Sequence, residues 1–163
     1  IYNRVVDVDI YGGKLLKKAA CRFFQGYIEK CQQDMIDALN ESGRFRAPGR
    51  FEDMHKLVHG YLGDGNKMGE GWLLTGEMLE LIHSGVPNIV CAQPFGCLPN
   101  HIVGKGMIRR LKDDYPNSNI VAIDYDPGAT RINQENRIKL MLANARALAR
   151  EEEGSREPVG AAR

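Results

Sequence analysis

"NIVCAQPFGCLPNHIVGKGMIRRLKDDYPNSNIVAIDYDPG", residues 88–128, carries the reading that decides the fold. Asn88 to Ala92 is short and apolar, Pro99 to Asp114 follows helical spacing, and Asn119 to Tyr125 is a second apolar stretch. Two strand-like segments joined by a helix predict a βαβ unit, because parallel neighbours need a crossover of roughly a dozen residues or more. Open α/β sheets collect their ligands at the carboxyl ends of such strands, and two informative turns fall there. The first holds Gln93, Pro94, Phe95, Gly96 and Cys97, with Pro99 suited to the first helical turn. A thiolate at Cys97 would face a helix N-terminus, whose partial positive charge favours the anionic form that ligates iron or attacks electrophiles. Cys91 ends a buried strand, so a neutral, packed thiol is expected there. The second turn holds Asp124, Asp126 and Gly128, which either orient a ligand or cap the last helix.

Outward from this unit the pattern is mostly helical. Arg4 to Tyr11 alternates Val6, Val8 and Ile10 with Asp7 and Asp9, which reads as a strand with one wet face. From about Lys14 to Leu39, the spacing of Leu16, Ala20, Phe23, Phe24, Tyr27, Cys31 and Met35 predicts one long amphipathic helix closed by Ser42-Gly43. Cys31 lies on its apolar stripe and Cys21 at the edge, so core packing is expected of Cys31. A short helix follows around Phe51 to Leu62. "GDGNKMGEG", residues 63–71, fits neither the dinucleotide fingerprint nor the Walker spacing and follows a helical pattern, so it reads as a connector. A helix from about Glu70 to His83 is ended by Gly85, and a final one carries Ile138, Met141, Leu142, Ala145 and Leu148. The apolar period is lost after Arg150, so residues 151–163 read as a flexible tail. The fold class expected is α/β: one domain over residues 1–150, with a small, mostly parallel sheet flanked by helices in a Rossmann-like three-layer arrangement.

Composition narrows the function classes. The chain has 163 residues, 43% hydrophobic and 26% charged, with a formal net charge of +1. That balance excludes a disordered chain and offers no electrostatic footprint for nucleic acid. No apolar run approaches the roughly 20 residues that span a bilayer, and residues 1–9 lack a signal pattern, so a soluble, cytoplasmic protein is expected. Four cysteines in that compartment point to thiol, metal or cluster chemistry rather than disulfides. An opening Ile1 in place of Met suggests a piece of a longer protein. A zinc site from Cys91, Cys97 and His101 ranks lowest, since it lacks a fourth ligand and the paired short spacings of structural zinc. Gly104 and Gly106, inside the helix opened by Pro99, predict close backbone approach, and Lys105 between them is either a surface charge or, beside a cleft, a group to meet a phosphate.

"GEGWLLTGEM", "NIVCAQPFGCLPNHIVGKGMI", "NIVAIDYDPG" and "NQENRIKLML", taken in order from about Glu70 to Leu142, resemble the C-terminal part of the activase-related proteins of the 2-hydroxyacyl-CoA dehydratase system. "ATRIN", residues 129–133, departs from the acidic variant of that family. The resemblance implies a dehydratase-subunit-like segment of a multidomain protein, in which ATP binds only in other domains. It further implies a contribution to a [4Fe-4S] cluster and electron transfer. Cys97 is then the ligand to iron, with Cys91, Lys105, Asp124 and Asp126 as further cofactor-binding candidates. The partners implied are the other domains of the same protein, a dehydratase and an acyl-CoA. The segment alone is expected to be inactive. The alternative is a docking or structural α/β module that has lost the cluster.

Overall fold

The computed structural model describes residues 2–94, 96–125, 128 and 130–156. The chain divides into two compact units, residues 1–80 and 81–163, where the sequence reads as one domain to residue 150.

The first unit is helical. Its elements are α1 (Tyr2–Tyr11), α2 (Leu15–Ser42), α3 (Phe51–Val58) and the greater part of α4 (Leu73–His83). The strand expected over Arg4 to Tyr11 is instead α1. Val5 and Val6 are its buried residues and Tyr2 lies one turn before them, which is helical spacing hidden under a short alternation of Val and Asp. An unpaired strand would also leave its backbone groups unsatisfied, whereas a helix satisfies them internally. Asp7 and Asp9 therefore share no face, and they pair with Lys67 and Lys18 respectively. Trp72 is 2% exposed, and the rings of Tyr2, Phe51 and His55 meet it at centroid distances of 5.8, 5.5 and 4.9 Å. Val58, Met78 and Leu79 complete the core.

α2 follows the expected boundaries and ends at Gly43, whose φ of 60° is the left-handed turn that glycine adopts without a steric penalty. Its apolar stripe, however, is not core. Ile36 is its buried residue, while Leu16 and Phe23 are 83% and 76% exposed, and Cys31 is exposed as well. Helical periodicity marks a face that prefers to be covered, and within this unit α1 and α3 do not cover that face. The glycine-rich segment is the connector expected. The Trp72 amide donates to the Asn66 carbonyl at 2.7 Å, and a Cβ on Gly71 would overlap that carbonyl.

The second unit is mixed α/β, with a two-stranded parallel sheet flanked by helices. Strands β1 (Asn88–Pro94) and β2 (Asn119–Tyr125) pair in parallel with Cys91 opposite Ala122 and Gln93 opposite Asp124. The crossover begins in a π-helical turn, Asn100–Gly104, passes through a 3₁₀ turn, Lys105–Met107, and settles into α5, Ile108–Asp114. The regular helix expected from Pro99 is thus broken at both glycines. Gly104 is buried, and a Cβ on Gly106 would meet the His101 carbonyl at 3.0 Å, so the close approach at Gly106 is to its own turn. α6 (Arg131–Arg156) extends beyond Arg150, and residues 157–163 of the expected tail lie outside the described ones.

Alternation along the strands sorts the two faces. Ile89, Cys91 and Gln93 are buried on the face that meets the crossover, while Val90 on the other face is exposed. α6 packs on β2 from that other face, where the Asn119 amide donates to the Met141 carbonyl at 2.8 Å. Side chains of α6 also guard the outer edge of β2. Arg137 donates to the Ala122 carbonyl and Gln134 to the Asp124 carbonyl, each at 3.0 Å, which satisfies edge groups that would otherwise recruit another strand. No described helix is long and apolar enough to cross a membrane.

Candidate cysteine site

The parallel register brings the carboxyl ends of both strands, and with them the Cys97 turn and Asp124, to one end of the sheet. After Pro94 the chain reverses through Gly96, whose φ is 68°, and the Cys97 amide donates to the Pro94 carbonyl at 3.3 Å. The Cys97 carbonyl in turn accepts from the His101 amide at 3.1 Å, so Cys97 stands at the very start of the irregular crossover. Asp124, the last residue but one of β2, lies directly across from Gln93. Asp126 lies outside the described residues.

Asn100 ties the cysteines together. Its side-chain amide is 5% exposed as a residue, donates to the Cys97 sulfur at 3.3 Å and accepts from the Cys91 thiol at 3.9 Å. The two sulfurs therefore differ in kind. Cys91 is buried, burial pushes its thiol above the ordinary range, and it acts as donor. Cys97 is half-buried and receives an N–H, the arrangement that suits an anionic or metal-bound sulfur.

Gln93 shares Cys91's face and is fully buried, yet neither its amide oxygen nor its amide nitrogen has a hydrogen-bond partner among the described residues. A buried amide left unpaired costs about 1–3 kcal/mol per group, so the carboxyl end of β1 holds unused polar capacity. Lys105 is exposed and lines a groove of about 510 Å³ together with Arg109, Lys112 and Arg137, and neither Cys91 nor Cys97 lines that groove. Asp113 is the lone carboxylate among the described residues that line it.

The donor set suits part of a cluster. A [4Fe-4S] centre takes cysteine thiolates, commonly four, or three with an open position. This unit brings two sulfurs to such a donor set, that of the half-buried Cys97 and that of the buried Cys91, whose thiol burial pushes up. Cys21 and Cys31 sit ten residues apart on α2, roughly 15 Å along the axis at 1.5 Å per residue, too far to serve one cluster together. Zinc at Cys91, Cys97 and His101 gains nothing from the geometry: among the described residues the group whose donor atoms converge is His55, His59 and Asp64.

Sequence reasoning placed Cys97, Cys91 and Asp124 at this end of the sheet but gave no role to Asn100 or Gln93. The signal for Gln93 was its position, two residues beyond Cys91 on a strand and hence on the same face. Asn100 is drawn in by the π-turn, which periodicity does not announce. Comparisons with protein-family models, curated proteins and solved structures found no match for this chain.

Proposed function

We propose that this chain is a dehydratase-like α/β segment of an ATP-dependent, iron–sulfur activase of the 2-hydroxyacyl-CoA dehydratase system, in which Cys97 contributes one thiolate to a [4Fe-4S] cluster. The observation that carries this reading is the Asn100 amide donating to the Cys97 sulfur at 3.3 Å, with Cys91 held neutral behind it. Such a cluster, when bound, supplies one-electron transfer. The chain's own residues do the rest. Asn100 orients the Cys97 sulfur and offsets its negative charge, and the unpartnered Gln93 amide offers further hydrogen-bonding capacity at the same end of β1. The cationic groove of Lys105, Arg109, Lys112 and Arg137 matches the phosphates of an acyl-CoA by charge. The exposed apolar side chains of α2 suit burial against other domains of the same protein. ATP is assigned to those other domains.

Two measurements test this. At pH 8 a thiol probe is expected to label Cys97 well before Cys91, because Cys91 is both buried and held protonated. The sign is fixed: a raised thiol pKa stabilises the folded state below the unfolded thiol's pKa and ceases to do so as pH rises through the folded value, so Cys91 labelling should accelerate only with alkali or unfolding. Equal rates for the two thiols at pH 8 count against the site. In the anaerobically purified parent protein, Cys97→Ser should remove most iron and sulfide, while Cys91→Ala should cost packing and leave iron in place. Iron unchanged by Cys97→Ser, or absent from the unaltered protein, favours the docking-module reading instead.

A further inference from the structure

We propose that His55, His59 and Asp64 form a binding site for a borderline divalent cation, of which zinc fits best. The site lies in the first unit and is independent of the cysteine site.

The local sequence builds it simply. His55 and His59 stand four residues apart, α3 runs to Val58, and His59 keeps helical dihedrals as its C-cap, so both rings lie on one face. Their centroids are 4.7 Å apart. The chain then turns back, with the amides of Tyr61 and Leu62 both donating to the Val58 carbonyl at 2.8 and 3.0 Å, and this return carries Asp64 up to the two rings. One donor atom from each of the three residues lies within 4.8 Å of the others. His59, the exposed member, can close the remaining distance by adjusting its side-chain torsions.

The surroundings match those of a metal ligand set. His55 Nε2 lies 2.7 Å from Asp64 Oδ1, and Tyr2 Oη lies 3.0 Å from His55 Nδ1 and 2.7 Å from Nε2. A ligating imidazole commonly donates its second N–H to an oxygen that fixes its orientation; the Tyr2 hydroxyl lies within reach of both ring nitrogens, and a metal on Nε2 leaves Nδ1–H as the group it can accept from. Trp72 packs against the His55 ring at 4.9 Å and supplies an apolar wall. Tyr2 and Asp64 border a cavity of about 470 Å³ whose other charged residues are Asp9, Glu29 and Glu52 against Arg22, an excess of carboxylates that draws a cation in.

The chemistry of the donors selects the metal. Two imidazole nitrogens and one carboxylate oxygen suit zinc and its neighbours, whereas calcium and magnesium require oxygen ligands. Three protein ligands leave one tetrahedral position for water. The competing account is a metal-free Tyr2–His55–Asp64 hydrogen-bond network that holds α1 to α3.

Competition between the chelator-treated chain and a chromogenic zinc chelator separates the two. One equivalent of Zn²⁺ should bind, and His59→Ala should weaken it at least about 100-fold with an unchanged circular dichroism spectrum, because an exposed ring leaves without disturbing the core. Cys97→Ser and Cys91→Ser should retain the zinc affinity, and Co²⁺ should give visible ligand-field bands without a thiolate charge-transfer band. Failure to bind one equivalent, wild-type affinity in His59→Ala, loss of zinc on replacing either cysteine, or a thiolate band with Co²⁺ each overturns the proposal.

Discussion

Trp72→Ala should destabilise the protein by about 3–5 kcal/mol, a large share of the roughly 5–15 kcal/mol that holds a typical domain together. Trp72 is 2% exposed and meets Tyr2, Phe51 and His55 at once. Removing it opens a cavity that three rings from two helices line, and rings cannot collapse into a void as flexible aliphatic chains do. Every edge-to-face ring pairing that the substitution removes adds about 0.5–1.5 kcal/mol beyond the buried area. Because Trp72 is the sole tryptophan, urea unfolding should be followed by far-ultraviolet circular dichroism rather than fluorescence. Trp72→Phe, which retains a ring, should lose markedly less. A midpoint in Trp72→Ala within error of the unaltered protein would show that the aromatic cluster is not the core of the first unit.

That cluster also shows what the sequence made legible and what it hid. The βαβ unit was readable because strands of seven residues, rich in Ile, Val and Ala, sit at either end of a crossover, and β2 falls on the residues named for it, Asn119–Tyr125. The ends of α2 and α4 were readable from Gly43 and Gly85, both with positive φ. α1 was misread because Val6, Val8 and Ile10 alternate with aspartates, and ten residues do not separate a period of 2 from one of 3.6 once tertiary contacts favour the helix. The stripe of α2 was read correctly as a face and wrongly as core, since periodicity states which residues want cover without stating what covers them.

At the cysteine site the sequence supplied the positions and the structure supplied the difference between them. Topology alone brings Cys97 and Asp124 to one end of the sheet, as parallel strands require. The pairing of both sulfurs with one amide depends on the π-turn at Asn100–Gly104, an irregularity of backbone hydrogen bonding that side-chain patterns do not encode. His55, His59 and Asp64 were legible in part: two histidines four apart on a helix are visible in the sequence, but the return of the chain that brings in Asp64 is not.

Ile123→Ala should cost about 2–5 kcal/mol and act on the second unit. Ile123 is fully buried, stands opposite Ala92 in the parallel register, and shares the face of β2 on which the Asn119 amide reaches α6. A sheet of two strands has little redundancy, because neither strand is flanked on both sides by another. Each central side chain therefore carries a larger share of the packing that holds the helices to the sheet. The Ala122 and Asp124 carbonyls on either side of Ile123 accept from Arg137 and Gln134, bonds that persist only while α6 stays seated on β2. Loss of the Ile123 side chain should thus appear twice: as a lowered urea midpoint, and as faster hydrogen exchange at the amides of β2 than in the unaltered protein. Ile123→Val, which removes one methylene from the same face, should cost only about 0.5–1.5 kcal/mol and keep β2 protected. Equal stability of Ile123→Ala and Ile123→Val would mean that α6 is not held through this face of the strand, and the packing described for the second unit would need revision.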